Sequence, residues 1–543
     1  MTKIELSRRD LLKSASAFGL VAAGATRVSL AASEPQPLSI DHEPQLFLDD
    51  WIVADSKGLK RVLHQPEKKG LIREGDGRPW ERGSASTVVR DAQGRFHMSY
   101  SIRWFSEEAL KAKKHFPAEG TRSLQGYAVS DDGIRWKKPV LGLVDGPTGF
   151  RRTPKSKWKT GWFWEPTGWS KDNSYGYPIQ AIRDLGVHAG AIDRDRRYMV
   201  FAGGLHFARD VPDVLGDADW RDKLTPIPDA KTPRGGIIGW DEEAQLWLAI
   251  GQSGGWQRSD QGRVIARWTS RDLKTWSDQE IVLPIADDES KKPDDWVEYY
   301  YMSAYRVGGL WLGSLILYHT DRSNRQYEHP TMRNTWMKGT TDIRLMVSRD
   351  AARTWRRVAG KQVWLPHHEE EDGYDRSLYA GAGPLRVGDE MWMYYRADDG
   401  DHIGFRKDNT PFYKDRTRIG RTALAVLRWN GYVSLHARGE VGSMTTHPLI
   451  TPSGHLTVNA AAAQGTVRVA VEDASGKALP GYGLAECKPI RADEISEPVH
   501  WRGRAQLPRG TAERPLRFRF EVRDADLYGF QIGEPGVDRP TKS

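Results

Sequence analysis

Residues 127–136 read YAVSDDGIRW, and the fold is decided there. The stretch returns as ARWTSRDLKTW at 266–276 and, one residue longer, as LMVSRDAARTW at 345–355. Ser130, Asp132 and Trp136 keep the spacing of Ser270, Asp272 and Trp276, and Ser348, Asp350 and Trp355 repeat the set more loosely. In each copy a short apolar strand runs into Ser-x-Asp, a turn and a Trp. Ser and Asp side chains can bond nearby backbone amides and close a tight turn. The Trp then packs its broad face where that turn meets the next strand. A unit recurring through a chain of 543 residues implies radial or linear repetition. Short strands around such turns predict a β-propeller.

Working outward, composition and charge bound the rest. With 38% hydrophobic residues and 22 Trp the chain is globular, and its length suits two or three domains. The Trp residues serve packing between repeats, and some could stack on flat ligands such as sugar rings. The N-terminal Ser7-Arg8-Arg9-Asp10-Leu11-Leu12-Lys13 is a twin-arginine pattern, followed by an apolar run from Ala15 to Ala25 and small residues at Ser29-Leu30-Ala31. This predicts a signal peptide over 1–31, a mature start at Ala32 or Ser33, and passage through the twin-arginine export machinery to a periplasm or beyond. The apolar run is too short for a mature membrane helix, and no later stretch approaches ~20 apolar residues, so no membrane partner is expected after signal removal. The lone Cys487 excludes an intramolecular disulfide and reads as buried and inert. The formal charge is +8, of which 1–31 carries +3. With basic residues spread evenly, nucleic acid is not expected as a partner, whereas an anionic polysaccharide is compatible.

After a linker over 35–44, the segment Gln45–Val53 reads as a strand carrying Asp49 and Asp50. Hairpins are expected at Thr87–Tyr100, His188–Gly203, Gly235–Gly251, Tyr300–Tyr318 and Ala380–Ala397. The last continues into Thr422–Leu427 and Tyr432–Leu435. Five hairpins predict five blades over 45–435. From 436 to 532 the Trp density falls and alternation appears, as in Leu516–Val522, which predicts a β-sandwich. Residues 533–543 read as a tail. The expected fold is therefore all-β: a five-bladed β-propeller followed by a C-terminal β-sandwich.

A propeller gathers its ligand site at one mouth of the channel, where the first strand of each blade begins. Acids at those positions would converge. Asp50 or Glu81 leads into the first blade, Asp193 lies in the second hairpin, Glu298 precedes the fourth and Asp375 the fifth. Glycoside hydrolysis needs two carboxyl groups flanking one bond, one to protonate the leaving oxygen and one to activate water or attack. A third can hold their pKa values apart. Asp50, Glu298 and Asp375 are thus the expected catalytic set: Glu298 as acid, Asp50 as base or nucleophile, Asp375 as tuning acid. Against this, Asp50 could serve a turn, and Asp375 follows a solvated acidic run, Glu369–Asp372. Glu81, Trp162, Trp164, His188, Tyr300, His319 and Tyr395 are the expected substrate contacts. Trp162 and Trp164 belong to KWKTGWFWEPTGWS at 157–170, in a loop of about 50 residues, a length that is often functional in compact folds. The alternative for that segment is a loop with its own small core. His367, His368 and Glu369 are adjacent and cannot all face one metal, so no metal site is expected. No Walker, GxGxxG or CxxC pattern appears, and no cofactor is expected. Gly251-Gln252-Ser253-Gly254-Gly255 matches GxSxG but lacks a following helix, so it reads as a glycine-rich turn.

LFLDDWIV at 46–53, LKRVLHQPEK at 59–68, YAVSDDGIRWKKP, AGAGPLRVGDEMWMYY and LRFRFEVRDADLYGFQI resemble segments of exported bacterial propeller proteins labelled glycoside hydrolase-like. These abound in polysaccharide-degrading bacteria such as planctomycetes. The resemblance covers nearly the whole mature chain and implies distant kinship to glycoside hydrolase families 32 and 43, whose propellers carry three acids at the channel mouth. The WxNDPNG and RDP patterns are absent, and Glu486-Cys487 falls in the sandwich, so only Asp50, Glu298 and Asp375 match those acids by position. A secreted glycoside hydrolase acting on a poly- or oligosaccharide is the expected function. The competing readings are a non-catalytic carbohydrate-binding propeller and a polysaccharide lyase using Tyr, His and Arg on a uronic-acid polymer.

Overall fold

Apolar–polar alternation punctuated by Gly and Asp turns builds half-buried antiparallel strands. The computed structural model describes residues 36–73, 85–105, 121–153, 163–185, 194–254, 262–320, 339–369, 373–400, 402 and 420–533. These residues are all-β, with one 3-10 turn at Arg194–Arg196 and no α-helix among them. None of their helices is long and apolar enough to cross a membrane.

Five antiparallel groups follow in chain order. The first is Ala85–Arg90, Phe96–Phe105 and Thr121–Ser130. The second is Ala181–Asp184, Tyr198–Phe201, Leu205–Ala208 and Thr225–Pro226, and the third is Gly236–Asp241, Leu246–Gly254, Arg263–Ser270 and Glu280–Leu283. A ten-stranded sheet holds the remaining two. Asp295–Val307, Leu310–Thr320 and Gly339–Ser348 form the fourth group, and Ser377–Ala380, Glu390–Asp398 and Gly420–Arg428 the fifth. The two are joined by one parallel pair, Thr341 with Ser377. Glu67–Arg73, from ahead of the first group, pairs along the outer edge of the fifth.

Five hydrophobic clusters lie between successive groups. Val89 and Tyr127 meet Ile182 and Tyr198. Leu185 and Phe207 meet Ile237 and Trp247. Ile250 and Ile265 meet Met302 and Leu315. Ile343 and Leu345 meet Tyr395 and Ala423. Trp392 and Tyr394 then return to Phe96 and Met98 of the first group. Fully burying one such side chain contributes roughly 1.5–3 kcal/mol, so these seams hold the groups together.

The Ser-x-Asp units are turns of the kind expected. Ser130 Oγ accepts from the Gly133 amide at 2.8 Å, and Asp132 Oδ1 accepts from the amides of Ile134 and Arg135 at 2.9 and 2.7 Å. The second copy repeats this, with the Leu273 amide on Ser270 Oγ at 2.9 Å and the Lys274 and Thr275 amides on Asp272 at 2.8 Å. The residue after Asp is left-handed: Gly133 has φ +72 and Leu273 φ +62. The inserted residue of the third copy is absorbed by two left-handed positions, Ala351 at +53 and Ala352 at +60.

Three expectations are corrected. Leu38–Leu63 does not enter the five groups. Gln45–Leu46 pairs with Ala525–Gly533, Val53–Lys57 with Gly442–Thr446, and Lys60–Leu63 with Val433–Ala437. Two sheets containing these strands share one core of Met444, Leu456, Val469, Phe518, Phe520 and Phe530. Strand pairing therefore divides the chain differently from 45–435 and 436–532. Second, the first strand of the second group is Ala181–Asp184, ahead of the expected His188 start, and His188 to Asp193 lie outside the described residues. Third, Gly251–Gly254 is no turn. It continues strand Leu246–Gly254, with Ser253 opposite Val264.

Candidate functional site

One end of the fourth and fifth groups concentrates polar side chains. Glu298 lies opposite Tyr318, Tyr318 opposite Thr341, and Thr341 beside Ser377. Glu298 is buried. Arg263 Nη1 donates to its Oε2 at 2.6 Å, and the Arg263 amide lies 3.4 Å away. The guanidinium rests 5.2 and 5.1 Å from the ring centroids of Tyr300 and Tyr318, within cation–π reach. Gly262, at φ +83, lets the backbone cross the carboxylate, since a Cβ there would stand 2.9 Å from Glu298 Cδ. Tyr300 meets Tyr318, Tyr379 and His402 edge-on, and Tyr379 Oη lies 2.8 Å from His402 Nδ1.

Side chains alternate across a strand, so His319 and Asp342 occupy the other face of the same sheet. His319 Nδ1 lies 3.1 Å from Asp295 Oδ1. Its Nε2 lies 3.1 Å from Asp342 Oδ2, close enough for an ion pair but out of line for a hydrogen bond. Asp342 Oδ1 accepts from the His367 amide and lies against its Nδ1, both at 2.7 Å. Burial works against the Asp342 charge, but His319 and His367 outweigh it and hold the carboxyl well below the usual range. Burial likewise pushes His319 down, and Asp342 with Asp295 outweighs it, leaving the imidazole above its ordinary value. His319 keeps 29% side-chain exposure and Asp295 49%, so this pair can exchange protons with a bound molecule.

Asp375 is fully buried and saturated. It accepts from the His368 amide at 3.0 Å, Tyr395 Oη at 2.8 Å and Lys68 Nζ at 2.8 Å, and also contacts His368 Nδ1. Burial and the Asp375 charge push the Tyr395 phenol well above its ordinary range. Lys68 belongs to the edge strand Glu67–Arg73, so Asp375 ties that strand to the fifth group.

Asp50 is corrected as a member of the set. Its carboxylate is 80% exposed and pairs with Arg61 at 2.5 Å. Its neighbour Asp49 takes a two-pronged contact from Arg349, at 2.8 and 3.0 Å. Arg349 stands just past the far end of strand Gly339–Ser348, about 25 Å from Thr341 at ~3.3 Å per residue. The cause is the pairing of Gln45–Lys57 with the C-terminal sheets. Glu298 and Asp375 do share an end, where Tyr318 and Thr341 stand between Glu298 and Ser377, two residues after Asp375.

Of the expected substrate contacts, Tyr300 and His319 lie at this end and Tyr395 is committed to Asp375. Trp164 sits on strand Phe163–Ser170 opposite Arg152, while Glu81, Trp162 and His188 lie outside the described residues. Arg263, Asp342, His367, Tyr379 and His402 were missed. The available signal was a pair of charged residues, Asp342 and Arg344, in the strand Gly339–Ser348 that leads into a Ser-x-Asp unit. Among the described residues no group of three His, Cys, Asp or Glu side chains could hold a metal ion.

No family model matches the chain, and no curated protein matches it. Solved structures similar to it include a β-1,2-mannobiose phosphorylase from Listeria innocua, with 11% identity, TM-score 0.34, and coverage of 71% of this chain and 96% of that one. A glycosyl hydrolase from Bacteroides ovatus gives 12% identity, TM-score 0.31 and coverage of 71% and 97%. An exo-β-1,3-galactanase from Phanerochaete chrysosporium gives 11%, 0.26, and 87% and 100%. At these TM-scores the likenesses carry no weight for fold or activity, which rest on the chain's own residues.

Proposed function

We propose that this chain is an exported carbohydrate-active enzyme of the glycoside hydrolase type, built on a five-bladed β-propeller with a β-sandwich beside it. The five seams that run from the first group round to the first again support the ring, with Glu67–Arg73 as the closing strand of the fifth blade. One observation carries the chemistry. His319, on the face of the sheet opposite the rings of Tyr300, Tyr379 and His402, is clamped between Asp295 and Asp342 and stays partly open to solvent. In this reading a sugar lies against the exposed His319 face, protonated His319 gives its proton to the leaving glycosidic oxygen while water adds to the anomeric carbon and releases a proton, and Asp342 fixes the imidazole. A proton donor whose pKa lies near the working pH suits such transfer. Glu298 holds Arg263 and the aromatic rim in place, and Asp375 locks the closing strand. Leader removal before Ala32 or Ser33 is proposed with it, and N-terminal sequencing of periplasmic material would test that.

The decisive experiment is a panel of neutral and uronic-acid polysaccharides, scored for new reducing ends, with the His319→Gln variant alongside. Hydrolysis that persists in that variant rejects the role given to His319. A second reading, a lyase, draws on one observation: a histidine and tyrosines accompany Asp295 at this end, while Glu298 and Asp375 are bound up in ion pairs. Ultraviolet absorbance from an unsaturated product would select it. Binding without either product would leave a carbohydrate-binding propeller.

A further inference from the structure

The opposite end of the five groups holds a second feature. A cavity of about 50 Å³ is lined by residues from the first strand region of every group. They include Val89, Arg183, Gly239, Arg306 and Gly383. Arg306 comes eight residues after Glu298 on strand Asp295–Val307, so roughly 26 Å of strand separates this cavity from the site above. Several of its residues are shaped for close approach. A Cβ at Gly239 would stand 3.1 Å from the Trp311 ring.

Among the described residues neither arginine has an acid partner. Arg183 Nη1 donates to the carbonyls of Ala304 and Ala382, at 3.2 and 3.3 Å, and its Nε and Nη2 make no hydrogen bond with a described residue. Arg306 lies over the Trp311 ring at 5.8 Å, and its buried Nε has no partner among the described residues. The carboxylate in the lining, Asp184, is taken by Arg197 at 2.9 Å. Burial pushes Arg183 below its ordinary range. Two guanidinium groups line one small, partly open space in which Asp184 is held by Arg197 and Asp241 by the Trp311 indole, so an entering anion would meet unused N–H donors. A guanidinium presents paired N–H donors that match two oxygens of one oxyanion. One water needs only ~10–15 Å³, so a group of a few heavy atoms fits.

We propose that Arg183 and Arg306 form an anion site on the axis of the ring, taking a small oxyanion such as sulfate or a carboxylate. The anion is either free in solution or the acid group of a sugar. The test is thermal unfolding of the full chain in sodium sulfate, sodium acetate and sodium glucuronate at matched ionic strength, with sodium chloride as reference. A saturable rise in Tm with sulfate, reduced at least fivefold in apparent affinity by Arg306→Gln, is the expected result. A larger rise with glucuronate than with acetate at equal concentration would assign the site to an acidic sugar, and equal rises to a free anion. Arg183 also holds the carbonyls of Ala304 and Ala382 and so serves the fold; Arg306→Gln is the deciding variant. Shifts that do not saturate, or that are unchanged in Arg306→Gln, overturn the proposal. Because the readout is stability, failure here leaves the hydrolase reading untouched.

Discussion

Replacing Glu298 with Gln separates two roles that one residue could play. Its carboxylate and the Arg263 guanidinium are both buried and 2.6 Å apart. Removing one charge from a buried pair costs about 3–5 kcal/mol, because the partner is left uncompensated. The Gln carbonyl can still accept from Arg263, which returns about 1 kcal/mol. A loss of roughly 2–4 kcal/mol is therefore expected, read as a lower urea midpoint by tryptophan fluorescence at unchanged m. Pairing Glu298→Leu with Arg263→Met should recover much of that loss, since apolar pairs often replace buried ion pairs at little cost. The double-mutant cycle would then show coupling above ~1 kcal/mol. A Glu298→Gln protein within 0.5 kcal/mol of the parent, with additive double mutants, would refute the reasoning. If that stable variant had also lost all turnover, Glu298 would be the proton donor instead of His319.

Three further outcomes are expected. In Asp342→Asn the His319 imidazole should titrate closer to the ordinary ~6.5 than in the parent, as followed by NMR. Because the folded value is raised, the parent's His319 contribution is full below ~6.5 and fades as pH rises through the folded value; an unmoved titration would remove Asp342 as the cause. Gly133→Ala should destabilise by about 2–5 kcal/mol, combining a left-handed alanine with overpacking, since its Cβ would meet Tyr394 Oη at 2.6 Å and Trp392 at 2.9 Å. Ala351→Gly should raise Tm slightly, a gain of up to about 1 kcal/mol from relieving φ +53 set against chain entropy; a lower Tm would mean the turn is not strained.

What was legible in the chain was what is local. The Ser-x-Asp turns, the Gly235–Gly251 and Tyr300–Tyr318 hairpins and the position of Glu298 at a strand start all depend on residues within about twenty places of one another. Gln45–Lys57 was misplaced because its partners lie more than 380 positions downstream, as Val53 with Thr446 and Gln45 with Phe530 show. Nothing in its own alternation names them. Asp342 escaped because its worth depends on His319 and His367, which share no spacing with it. His367 and His368, read as adjacent residues that cannot share one metal with Glu369, each serve a separate carboxylate, Asp342 and Asp375. GxSxG failed for a related reason: backbone pairing with Arg263–Ser270 overrode the turn tendency of its glycines.

The first and last strands being laid side by side has a consequence for biogenesis. His42 contacts the carbonyl of Ile532, and Glu67–Arg73 awaits Gly420–Arg428 before its edge is covered. A ribosome that has made only the first four hundred residues therefore presents early strands with no mates. Pairings this distant close slowly, so the sheets that hold residues 45–63 are completed only once residues 433–533 are available to them.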